Sequence, residues 1–152
     1  MPTITQSKRE NLLISTDPTL LDHDAIAEML DRSYWAQGRP RTCLERALEN
    51  SLVFGIYDGP RMIGLARVVS DYALFAYLCD VFIHEDYRNQ GLGKWLIETI
   101  MAHPDLQGLR RWTLATRDAH GLYAQYGFVP LQKPESWMEI FNPNFPENNA
   151  KP

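Results

Sequence analysis

The spacing of apolar positions changes several times along the chain, and each change predicts an element. Leu12, Leu13 and Ile14 form a short apolar run that predicts a strand from Asn11 to Thr16. From Asp22 to Tyr34 the spacing becomes helical. Ile26, Met29 and Leu30 fall on one face with Ser33 and Tyr34, and Asp22 or Asp24 suits the N-cap. Tyr34 to Pro40 reads as a loop, and Thr42 to Asn50 as a second helix with Leu44, Ala47 and Leu48 inward. Ser51 to Tyr57 and Met62 to Ser70 flank the turn signal Asp58-Gly59-Pro60 and predict a hairpin. Ala73 to Ile83 is almost wholly apolar, as in a strand covered on both faces.

Helical spacing returns at Leu92 to His103, with Leu92, Trp95, Leu96, Thr99 and Ile100 on one stripe, and Pro104 stops it. Arg110 to Thr116 predicts another strand. Asp118 is placed to cap a short helix, Ala119 to Tyr126, and Gly127 sits where a C′ glycine belongs. Phe128 to Leu131 and Ser136 to Phe141 predict two final strands. The order β-α-α-β-β-β-α-β-α-β-β implies a single α/β (α+β) domain, with a mixed central sheet of about seven strands and about four helices. The polar residues 1–10 are expected to be flexible, residues 11–142 to form the domain, and the Pro- and Asn-rich residues 143–152 to be disordered.

Composition narrows the class of partner. A chain of 152 residues can bury roughly two-thirds of its unfolded surface in one core. A net charge of −4 leaves no electrostatic footprint for nucleic acid. An anionic ligand must therefore be held by local geometry. Cys43 and Cys79 are spaced for neither a zinc site nor a redox pair, and read as reduced core residues of a cytoplasmic chain. The first ten residues lack the apolar region of a signal peptide, and no apolar run approaches a membrane span. The expectation is a cytoplasmic protein with no metal, no membrane and no nucleic acid among its partners. A homodimer is left open.

Arg88-Asn89-Gln90-Gly91-Leu92-Gly93-Lys94 stands between an apolar strand and an amphipathic helix. The first turn of a helix has unpaired N–H donors and a dipole that favours negative charge. Glycine lets an anion approach without a Cβ in the way. The stretch carries two cations, Arg88 and Lys94, and no acid, which points to phosphates. It is not a P-loop, because Trp95 follows Lys94 where Ser or Thr is needed and Arg88 occupies the position of the first glycine. Nor is it the dinucleotide fingerprint, because Leu96 stands in place of the third glycine and the preceding strands form hairpins.

Arg88, Gly91 and Gly93 instead resemble, position by position, the Arg-x-x-Gly-x-Gly pyrophosphate loop of the GNAT superfamily of acetyl-CoA-dependent N-acetyltransferases. Leu122-Tyr123-Ala124-Gln125-Tyr126-Gly127-Phe128 is similar to that family's Leu-Tyr-x-x-x-Gly-Phe, and Ala119 also matches. The motifs lie in the expected order, and the likeness covers roughly residues 12–141, as in a single-domain bacterial-type member.

The resemblance implies a transferase that moves the acetyl group of acetyl-CoA, a co-substrate, to a primary amine of a small molecule or protein by direct attack in a ternary complex. It implies that the backbone of Val81, Phe82 and Ile83 pairs with the pantetheine arm. Backbone N–H groups of Arg88, Asn89, Gln90, Gly91, Leu92, Gly93 and Lys94 would hold the pyrophosphate, and Tyr123 would stand near the thioester sulfur. Thr116 departs from the family's frequent Asn seven residues before the tyrosine. A non-catalytic acyl-CoA sensor of the same fold, or a transferase of longer acyl groups, are the other readings.

Transfer needs a neutral amine, donors for the oxyanion and a proton or hydrogen bond for the thiolate. Tyr123, protonated at neutral pH, suits the last task, or else is a core aromatic. Asp80, an acid in an apolar strand, is either a general base or the partner of an arginine such as Arg67. His120 shares a helical face with Tyr123 and could shuttle a proton or sit at the surface. Tyr34 and Trp35 are candidates for the acceptor side, or for the core.

Overall fold

The computed structural model describes residues 1–145. Six strands form one sheet in sequence order: β1 (Gln6–Arg9), β2 (Leu12–Ser15), β3 (Leu52–Asp58), β4 (Arg61–Ser70), β5 (Phe75–Ile83) and β6 (Arg111–Leu114). The first five pair antiparallel, and β6 runs parallel to β5. Four helices accompany them: α1 (His23–Asp31), α2 (Arg41–Glu49), α3 (Leu92–Met101) and α4 (His120–Ala124). The expected fold class, one mixed-sheet α/β domain, is the one observed, with six strands in place of about seven.

Each sheet face carries its own core. Ile26, Met29, Leu30, Leu44 and Leu48 of α1 and α2 pack on Val53, Leu65 and Phe82. Leu92, Trp95, Leu96, Ile97 and Ile100 of α3, with Tyr123 of α4, pack on Phe54, Ile63, Val68, Ala76 and Leu78. Asp22 caps α1, its carboxylate accepting the Ala25 N–H at 3.0 Å. Gly127, at φ 95, ends α4, as its left-handed C′ position requires.

Three expectations change. Residues 1–10 are not a loose end: Gln6–Arg9 forms an edge strand with β2, and the Thr3 carbonyl accepts the Nε2–H of the buried His103 at 2.9 Å. The paired residues are polar because an edge strand faces water, which hides the strand from hydropathy. Thr116, not Asp118, secures the start of α4, its hydroxyl accepting the Ala119 N–H at 3.1 Å, while Asp118 pairs with Arg117. Phe128 to Leu131 and Ser136 to Phe141 form no strand among the described residues. The expected disorder of residues 143–152 falls largely on 146–152, outside the described residues.

Candidate functional site

The parallel pairing of β5 with β6 runs only from Phe75–Arg111 to Leu78–Leu114. Beyond Leu78 the two strands part, and among the described residues no strand pairs with the β6-side edge of residues 79–83. Parallel neighbours joined through a crossover helix need not stay paired to their ends, and this crossover, α3, begins only after the loop 84–91. The His84 N–H donates to the Ile63 carbonyl on the β4 side. By strand alternation, the backbone polar groups of Val81 and the Ile83 N–H point the other way, into the opening, while the Ile83 carbonyl on that side is taken by Arg88.

A bulge sharpens this parting. Leu65 pairs with Phe82 and Arg67 with Cys79, so Asp80 and Val81 together oppose Ala66. Asp80 takes φ 51, in the left-handed region, at a cost of about 1 kcal/mol for a non-glycine residue. A dense network holds it there. Its Oδ1 accepts the Trp35 indole N–H at 2.9 Å and an Arg39 Nη2 at 3.4 Å. Its Oδ2 accepts Arg39 Nη1 and Arg67 Nε, both at 2.9 Å. Burial opposes the charge of Asp80, but the hydrogen bonds and charges of Arg39 and Arg67 outweigh it and hold the carboxyl below its usual range.

This geometry makes Asp80 a partner of Arg67, the alternative to the base, and of Arg39 and Trp35 besides. A carboxylate offers about four lone-pair sites, and here four donors occupy them. Arg67 was anticipated as a partner. Arg39 and Trp35 were not, and no local pattern could have found them, because they lie 41 and 45 residues away.

At the mouth of the opening the turn has the form its glycines require. Asn89 and Gly91 adopt φ 63 and 78, and Gly91 is the N-cap of α3 with no side-chain cap. The first intrahelical N–H from this end is that of Trp95, donated to the Gly91 carbonyl. The N–H groups of Leu92, Gly93 and Lys94 are therefore left to an outside acceptor. A Cβ on Gly93 would meet only Leu122 Cδ2, at 4.0 Å, and one on Gly91 would meet nothing. No protein packing demands glycine at position 93, so the space above it is open to a ligand. The Arg88 guanidinium turns back, donating to the Ile83 carbonyl at 2.9 Å and lying over the Phe82 ring. Arg88 thus clamps the loop to the strand end, and its backbone N–H is donated to the Glu85 carbonyl. The loop is also tied to α1 by Arg32 and Glu85, whose carboxyl the arginine's hydrogen bonds draw down to about 2.

Tyr123 projects from α4 into the core beside this region, 7% exposed, its ring edge-on to Phe128. Its hydroxyl makes no hydrogen bond to any described residue. Burial, with the Tyr34 phenol nearby, pushes its pKa up to about 12, so it is a standing proton donor at neutral pH. Tyr126 does not share this role: its hydroxyl reaches the Lys94 carbonyl and Glu98 and ties α4 to α3. Lys94 and His120 are exposed.

Tyr34 and Trp35 stack edge-on at 5.0 Å and are about half exposed, so they are wall rather than core. Trp35, Gln37 and Arg39 border a cavity of about 450 Å³ together with Phe141 and Phe145. Arg117 covers the Tyr34 ring at 3.8 Å. One carboxylate facing two guanidinium groups leaves a net positive charge beside this cavity.

An open strand end, an uncapped glycine-led helix start and a buried phenol are features suited to an anionic, extended ligand. Comparison with known proteins agrees. Residues 49–130 match the model of the acetyltransferase (GNAT) domain family. A protein of Gibberella zeae named as a candidate acetyltransferase is 34% identical over 140 residues, covering 77% of this chain and 78% of its own. A GNAT-family crystal structure from Xanthomonas campestris pv. campestris superposes with TM-score 0.85 at 49% identity, over 88% of this chain and 95% of that one. A second crystal structure, of a Staphylococcus aureus protein, shares the fold, with TM-score 0.70 at 23% identity over 86% of this chain and 99% of that one. The chain belongs to the GNAT acetyltransferase family and is an acyltransferase. Among the described residues no helix is long and apolar enough to cross a membrane.

Proposed function

We propose that this acyltransferase binds acetyl-CoA in the opening between β5 and β6 and transfers the acetyl group to a primary amine of a small molecule or protein, within a ternary complex. The parting of β5 from β6 carries this reading. It leaves the polar groups of Val81 and the Ile83 N–H facing a slot in which an extended pantetheine arm adds like a strand. The slot leads to the uncapped N–H groups of Leu92, Gly93 and Lys94, where the pyrophosphate is held.

The chemistry follows from the groups around the slot. A neutral amine attacks the thioester carbonyl, a C–N bond forms and the C–S bond breaks. A backbone N–H near Val81 or Phe82 receives the carbonyl oxygen as it gains charge. The Tyr123 hydroxyl donates a hydrogen bond to the departing sulfur, and the amine's proton leaves to solvent. Asp80 shapes the bulge and seats Trp35; it is not the base. That engagement of Asp80 favours one second reading, a sensor that binds acyl-CoA without turning it over.

Release of free thiol from acetyl-CoA across a panel of primary amines separates the two readings. Amine-dependent release above the hydrolysis background is expected. Binding of acetyl-CoA with no release for any amine would favour the sensor.

The glycines give a sharper expectation. Glycine inside a helix is less favourable than alanine by up to about 1 kcal/mol, and the space at Gly93 accepts a methyl group. Gly93→Ala should therefore raise the melting temperature of the ligand-free protein while weakening acetyl-CoA binding at least about tenfold. Calorimetry checks both; unchanged affinity in the stabilised variant would remove Gly93 from the site.

A further inference from the structure

The cavity of about 450 Å³ beside the α1–α2 loop has one charged group among its described lining residues, the Arg39 guanidinium. Trp35, Phe141 and Phe145 give it aromatic surface, and Gln37 and Asn142 neutral polar groups. Its volume is that of a small-molecule site. Its inner end meets the β5 bulge, because Trp35 and Arg39 both bond to the Asp80 carboxylate, one residue before Val81. A molecule in the cavity therefore lies beside the slot.

Arg39 is only partly used. Two of its five N–H groups go to Asp80, at 2.9 and 3.4 Å, and the other three meet no acceptor among the described residues. Its side chain is 18% exposed, so the charge is largely desolvated yet still within reach. Asp80 divides its single negative charge between Arg39 and Arg67, both at 2.9 Å, and so leaves one positive charge over. Asp31 borders a separate, smaller cavity together with Arg39, but its Oδ1 accepts the Gly38 N–H and no ion pair joins it to Arg39. A desolvated guanidinium with spare donors suits a carboxylate, whose two oxygens match its fork, and repels a second cation.

We infer that the acceptor held in this cavity is a small primary amine bearing a carboxylate and an apolar body, of the size and kind of an aromatic α-amino acid. The carboxylate lies on Arg39 and the body against Trp35 and Phe141. The inference rests on the transferase reading above. The C–N bond forms and the C–S bond breaks as described there, and the products are the N-acetylated acid and coenzyme A.

Calorimetry of the chain in excess coenzyme A tests what the cavity holds without turnover. The probes are phenylalanine and tryptophan, each against its decarboxylated amine, phenethylamine or tryptamine. At least one acid should bind at least about tenfold more tightly than its amine, the loss expected when a hydrogen bond between charged groups goes. Arg39→Gln should bring that ratio close to one. Each preference is a ratio within one preparation, so partial misfolding of the variant does not mimic it. Amines that bind as tightly as the acids, no binding of any of the four, or an unchanged ratio in Arg39→Gln would overturn the inference. If an acid binds as expected but no amine releases thiol from acetyl-CoA, the transferase reading falls and the assignment of the ligand stands.

Discussion

Replacing Tyr123 by Phe should lower the turnover number for acetyl transfer by about 100-fold, the lower range for loss of a positioned proton donor. The Michaelis constant for acetyl-CoA should stay within about threefold, because the hydroxyl acts on a sulfur that carries charge only as the C–S bond breaks. Stability should hardly change. The ring keeps its edge-on contact with Phe128, and the hydroxyl gives up no bond to a described residue. Steady-state kinetics with a fixed amine, alongside thermal unfolding, checks all three expectations. Equal loss of turnover and affinity would mean that Tyr123 shapes the slot and does not serve the leaving group. Its pKa of about 12 adds a further expectation: the proton stays on the phenol through pH 9, so Tyr123 contributes no alkaline limb to the rate below that pH.

Asp80→Ala should destabilise the fold by about 3 kcal/mol, as removal of one partner from a buried ion network does. Asp80 is 4% exposed, and its loss leaves the Arg39 and Arg67 guanidinium groups facing each other with no carboxylate between them. The bulge and the seat of Trp35 go with it. Acid titration of stability tests the same network. Asp80 has a folded-state pKa below its ordinary value near 3.8. Its contribution is therefore fully present above that value and lost as pH falls through the folded pKa. Urea unfolding of wild type and Asp80→Asn should show a stability gap that is constant from pH 7 to 5 and narrows below about pH 4. If Asp80→Asn instead abolished turnover with full stability at pH 7, the carboxylate would be a base after all.

The parts of this site that were legible in the sequence are those fixed by a few adjacent residues. Gly91 and Gly93 are read from their spacing: the left-handed N-cap needs glycine at 91, and glycine at 93, which the fold does not require, keeps the helix start open. Tyr123 is read from its place before Gly127, which must end the helix. Asp80 was visible only as an anomaly, an acid in an apolar run. Its fate depends on Arg39 and Trp35, which the packing of the α1–α2 loop brings from 41 and 45 residues away. The strand ends behaved in the same way. Gln6–Arg9 pairs although it is polar, since an edge strand needs only one partner and no cover. Trp137 to Phe141 has the pattern of a strand yet pairs with no strand among the described residues.

The central claim is that acetyl-CoA occupies the slot between β5 and β6 with its pyrophosphate at the start of α3. Calorimetric titration of the wild-type chain with acetyl-CoA tests it most directly. The account predicts binding of one acetyl-CoA per chain, competed by coenzyme A and weakened at least tenfold by Gly93→Ala. Absence of binding at millimolar acetyl-CoA in the folded wild-type chain would contradict it.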